Sequence, residues 1–119
     1  MAKQPYVERH WCSELVSIVH RSKDGRLQSM VGNLEEIGAR ALVVLTERCV
    51  PLGAWVRIHC GNYDLTGTAA SREFDRALGF FVKIRLAPQS RWTLRQFAPE
   101  HLFTVKDVLS HAPLLRRSA

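Results

Sequence analysis

Asn33-Leu34-Glu35-Glu36-Ile37-Gly38-Ala39 lies between two apolar runs, residues 26–32 (RLQSMVG) and 40–45 (RALVVL). How this stretch is read decides the fold. Asn33 can end a strand and turn the chain, because its short amide bonds the backbone two residues on and tolerates positive φ. Gly38 is the natural residue for a left-handed conformation before the chain re-enters a strand. Ile37, between polar neighbours, is expected to plug onto the core. The stretch therefore predicts a corner at the rim of a small β-structure and the edge of a ligand site.

Outward from this corner the texture is that of strands. Residues 12–20 alternate, with Leu15, Ser17 and Val19 on one face and Val16, Ile18 and His20 on the other. Asp24-Gly25 then signals a hairpin turn into a second strand over 26–32. A third strand, 39–46, is apolar on both faces at Leu42, Val43, Val44 and Leu45, which predicts a central position. The fourth, 54–60, alternates Val56, Ile58 and Cys60 inward with Arg57 and His59 outward. The fifth, 63–71, carries Gly67, Ala69 and Ala70, which suit a tight bend or close packing. After a polar loop, 72–76, the sixth strand, 79–86, points Phe80, Val82, Ile84 and Leu86 one way and Phe81, Lys83 and Arg85 the other.

Six strands with no helix between them exclude a parallel sheet, which needs long crossovers. An all-β fold remains, a small antiparallel barrel or sandwich, and closure would also remove exposed edges. Beyond Pro88, residues 90–97 predict a short helix with Trp92 or Leu94 over one end of the barrel. Pro99 stops it, since the residue before a proline is pushed from helical angles. A further helical turn is expected at 105–109 and a frayed tail at 113–119. The expected organisation is an irregular arm over 1–11, a barrel over 12–88, and a C-terminal helical cap and tail over 89–119.

The 119 residues suit one domain, and 46% apolar with 24% charged residues is ordinary for a folded protein. No apolar run reaches the roughly 20 residues of a membrane span. The opening Met-Ala-Lys-Gln-Pro is not followed by the apolar stretch of a secretory signal, so a cytoplasmic protein is expected. Three widely spaced cysteines, Cys12, Cys49 and Cys60, argue against a disulfide framework. The net charge of +6 favours anionic partners. Its basic residues are scattered from Arg9 to Arg117, without the stripe that marks a nucleic-acid binder.

Catalytic and metal chemistry find little support. His10, Cys12, Cys49, His59 and Cys60 lack zinc-site spacing, and adjacent His59 and Cys60 point to opposite faces of a strand. Cys60 is expected in the core. Asp64, Glu73 and Asp75 read as solvated or paired with Arg72 and Arg76. With no nucleophile motif and no phosphate-cradling loop, no enzyme and no cofactor are expected.

The strand layout, together with Glu8-Arg9, the Asn33–Ala39 corner, Pro51-Leu52-Gly53 and Gly79-Phe80-Phe81-Val82, resembles the PilZ family over residues 8–86. That resemblance implies a six-stranded barrel that senses cyclic di-GMP in bacterial signalling. In the family an Arg-x-x-x-Arg arm holds phosphate and guanine, and an (Asp/Asn)-x-Ser-x-x-Gly corner bonds the nucleotide. By position Arg9 matches the first Arg, Asn33 the Asp/Asn and Gly38 the Gly. Ser13 stands where the second Arg belongs, and Glu35 where the Ser belongs. Each change works against an anionic ligand, since charge-assisted bonds are worth about 1.5–3 kcal/mol. Arg21, Arg26 or Arg40 would have to compensate. The resemblance thus implies a regulatory module with an unidentified protein partner, and cyclic di-GMP as its ligand if the degenerate site still functions. Two alternatives are a ligand-free interaction module using Phe81, Trp92 and the late helix, and a single-stranded nucleic-acid binder using Lys83, Arg85 and Phe81.

Overall fold

The computed structural model describes residues 9–96 and 98–104. Its strands are β1 (Arg9–Arg21), β2 (Leu27–Gly38), β3 (Ala41–Thr46), β4 (Trp55–Cys60), β5 (Tyr63–Asp75), β6 (Gly79–Leu86) and β7 (Phe103–Thr104). All pairings are antiparallel, in the order β2-β3-β6-β5-β4-β1-β7. A further β1–β2 ladder closes the first six strands into a barrel. Closure satisfies the backbone groups that an open sheet would leave at its edges.

The alternation read from the sequence points into this barrel. Even-numbered residues of β1 from Val16 to His20 are buried, while Leu15 and Ser17 are exposed. Ile18, Leu34, Ile37, Leu42, Ile58 and Ile84 are the largest fully buried side chains. Burying each is worth about 1.5–3 kcal/mol. Cys60 is fully buried among them, as expected. β3 pairs with both β2 and β6, as every strand of the closed barrel has two neighbours, and with Val43 and Leu45 on its outer face only half-buried its apolar residues do not mark a central position.

Gly67 marks the closest backbone approach. A Cβ there would stand 2.1 Å from the Arg85 carbonyl oxygen, so the β5–β6 ladder admits no side chain at this point. Gly25, at φ +85°, makes the expected tight turn between β1 and β2.

Several expectations are corrected. Residues 9–11 belong to β1 rather than to an arm, because β2 and β7 supply them with ladder partners. β5 continues through the expected loop to Asp75, since β6 pairs it as far as Gly79. Asp75 instead accepts hydrogen bonds from the Ala77 and Leu78 N–H groups in the turn, and Arg72 donates to the Val50 carbonyl rather than pairing with an acid.

After β6 there is a 3-10 turn at Pro88–Ser90, and 90–96 is not helical. The segment is held by bonds to the barrel instead: Ser90 Oγ accepts from the Thr66 N–H, and the Trp92 N–H donates to the Ala39 carbonyl. Trp92 does cover one end, buried edge-on against His10 with ring centroids 5.3 Å apart. Leu94 is exposed. The helical turn expected at 105–109 and the tail at 113–119 lie outside the described residues.

Candidate functional site at the bulged corner

The stretch from Asn33 to Gly38 is a strand, not a turn. Asn33 pairs with Leu15 and Leu45, and Gly38 pairs with Arg9. The described left-handed glycines are Gly25, Gly53, Gly61 and Gly79, so Gly38 has no left-handed role. The chain turns only after it, at Ala39-Arg40. What bends it earlier is a double slip in register. Opposite β3, Glu35 is an extra residue between the Leu34–Val44 and Glu36–Val43 pairs. Opposite β1 the slip falls between Trp11 and Glu14. Bulges sharpen local twist and re-aim side chains, which suits both barrel closure and a site.

The three residues matched to the PilZ motif fall into two groups. Arg9 and Gly38 face each other across the β1–β2 ladder. The Arg9 guanidinium there meets Glu36 at 3.1 Å. That pair is partly solvated and worth about 0.2–1 kcal/mol. Asn33 stands apart on the other side of the bulge. Its amide donates to the Glu35 carboxylate and, at 3.3 Å, to Ser13 Oγ. Ser13 and Glu35, the two departures from the family pattern, are therefore the groups that occupy Asn33.

Beside Arg9 lies a shallow cavity of about 290 Å³ lined by Arg9, Glu36, Gly38, Arg40, Val43 and Lys83, among others. Across Val43 and Lys83 it adjoins a second hollow of about 210 Å³ that reaches Arg72, Glu73 and Phe81. Of the arginines considered as compensating charges, Arg40 lines the cavity. Arg21 and Arg26 do not, because they sit at the far end of the β1–β2 hairpin. Three cations around one carboxylate, over an apolar floor, can receive an anion with a flat hydrophobic part.

Glu14 was not among the expected site residues. Its carboxylate accepts the Cys60 S–H at 2.9 Å and the Glu100 N–H at 2.9 Å, while the Ser13 N–H donates to the Glu100 carbonyl. The bulge thereby ties the segment after β6 to the barrel. A signal was present: Glu14 has the inward parity of Val16 and Ile18, where a carboxylate needs a partner. Burial first, then the nearby Glu14 carboxylate, raises the Cys60 thiol pKa; burial likewise pushes Cys12 up to about 12. Both thiols are therefore poor nucleophiles. Among the described residues no three His, Cys, Asp or Glu side chains converge as a metal site, and His59 is paired with Asp64 at 2.6 Å. No described helix is long and apolar enough to cross a membrane.

Comparison of the chain with family models, with curated proteins and with solved structures returns no match.

Proposed function

We propose that this chain is a PilZ-like regulatory binding module of bacterial second-messenger signalling, cytoplasmic and without enzymatic activity, whose nucleotide corner is occupied by its own side chains. It then acts by contact with a partner protein. The observation that carries this reading is the engagement of Asn33 by Ser13 and Glu35. A nucleotide bonding Asn33 would have to displace Glu35 and then sit beside its negative charge. Three free thiols fit a reducing compartment. Trp92 is buried, so a contact face would draw on Phe81 and its surroundings rather than on Trp92.

One observation favours a second reading, a cyclic di-GMP receptor with a shifted site. Arg9, Arg40 and Lys83 border one cavity, to which Gly38 adds no side chain. Calorimetry with cyclic di-GMP separates the two readings when the native chain is run beside the Ser13→Arg, Glu35→Ser double variant. The self-occupied corner predicts no heat from the native chain and binding by the variant. Binding by both supports the shifted site, and binding by neither in a folded variant counts against both.

A further inference from the structure

A second surface starts at the rim of the corner cavity, where Arg40 and Ala41 lie, and runs across the outer wall, assembled by register rather than by any motif. Across the outer wall the paired residues Trp55 (β4), Thr68 (β5), Arg85 (β6) and Ala41 (β3) fall in one row. At about 4.8 Å per strand the row spans about 14 Å. Arg40 precedes Ala41 at one end. At the other, Trp55 shares a hollow of about 320 Å³ with Arg21 and Lys23. Arg57 stands next to the row on β4, outward and exposed. Among the described residues, Arg40, Arg57 and Arg85 have no ion pair. Carboxylates near it are engaged elsewhere: Asp24 with Ser22 and Arg26, Asp64 with His59, and Glu36, in the cavity with Arg40, with Arg9.

We propose that this row is a binding track for single-stranded nucleic acid. The charge is complementary to a phosphate chain, and the Trp55 indole, 39% exposed within the hollow, offers a face on which a base can stack. The exposed Thr68 hydroxyl, between indole and guanidinium, can bond a sugar or phosphate oxygen. An anionic membrane is the less suitable partner. The exposed apolar side chains Leu15, Leu27 and Val31 lie on β1 and β2, and beside the row only Leu52, in the hollow with Trp55, could insert into lipid. Arg40, Arg57 and Arg85, far apart in sequence, come to border one row only because antiparallel pairing brings four strands into line. The track shares Arg40 with the corner cavity, but Trp55, Arg57 and Arg85 lie outside that cavity, so the track does not depend on how the corner is read.

Fluorescence anisotropy with labelled 12-nucleotide poly-U RNA and poly-dT DNA tests it, over a salt series on the whole chain. Engagement of about four cations predicts a slope of log K against log salt near −3, from about −0.7 per phosphate on a single strand. Arg57→Ser with Arg85→Ser should roughly halve that slope, and Trp55→Ala should weaken binding about fivefold or more. Arg76→Ser, which removes one charge just past the C-terminal end of β5, should leave both unchanged; melting curves verify that each variant is folded. Absence of binding at low salt would overturn the track, as would equal affinity for a labelled 12-base-pair DNA duplex or equal loss in Arg76→Ser. Preferential binding to phosphatidylserine vesicles, lost in the Arg57/Arg85 variant, would assign the surface to a membrane instead.

Discussion

The corner between β1 and β2 and the wall formed by β4, β5 and β6 use the same alternating strands to opposite effect. At the corner the ladder slips on both sides of β2, and polar side chains turn to one another: Ser13 and Glu35 to Asn33, Glu36 to Arg9. On the wall the β4–β5 ladder runs unbroken from Trp55 to Cys60, the β5–β6 ladder keeps register from Gly67 to Ala69 and slips only beyond it, and Arg57 and Arg85 face solvent. A regular ladder lets only directly opposite side chains meet, as His59 meets Asp64, whereas a bulge also brings together side chains that the register would keep apart. Polar residues at the corner therefore turn mainly to one another, whereas Arg57 and Arg85 on the wall remain open to a partner.

The largest expected effect falls where the wall is tightest. Gly67→Ala forces a methyl group to within 2.1 Å of a carbonyl oxygen, so β5 and β6 must separate. Loss of about 2–3 kcal/mol is expected. In a domain of this size that lowers the melting temperature by about 10 °C or more. A near-native melting curve would show that the wall yields as easily as the bulge.

At the corner, Glu14→Ala removes the acceptor for the Cys60 S–H and the Glu100 N–H. A loss of about 1–3 kcal/mol is expected from the unsatisfied donors. Hydrogen exchange should rise in residues 98–102, with no change at the β5–β6 turn. Exchange rising everywhere would mean that Glu14 supports the fold as a whole rather than this local tie.

Alkaline pH gives a weaker test of the same region. The folded-state thiols of Cys12 and Cys60 have raised pKa values, so the unfolded chain loses these protons first. Their contribution is complete below the ordinary thiol range and declines as pH rises toward about 12, the folded value for Cys12. The denaturation midpoint should fall above about pH 8.5, and less steeply in a Cys12→Ser, Cys60→Ser variant. Equal slopes would assign the alkaline loss to other groups. The smallest effect belongs to the exposed pair: Glu36→Gln should cost about 0.2–1 kcal/mol, read by denaturant titration.

The alternation of apolar and polar residues made the six strands legible, because burial on one face of a strand leaves a period of two in the chain. The corner was legible in place but not in form. Asn33 and Gly38 have the chemistry of turn residues, yet ladder bonds to β1 and β3 hold them extended. A trace of the bulge did lie in the chain: Leu34 and Ile37, both fully buried, are spaced by three inside one strand, which regular alternation forbids. The segment after Pro88 was misread because its helical spacing competed with backbone bonds to Thr66 and Ala39 that lie far away in sequence.

By itself the sequence determined the barrel's strands, its β1–β2 hairpin turn and its buried face, since these follow from local periodicity and turn chemistry. The tertiary structure alone decided that Ser13 and Glu35 close on Asn33, that Glu14 ties down the segment after β6, and that Trp55 and Arg85 fall in one row. Those relations depend on register between strands, and a shift of one residue would turn each side chain to the other face.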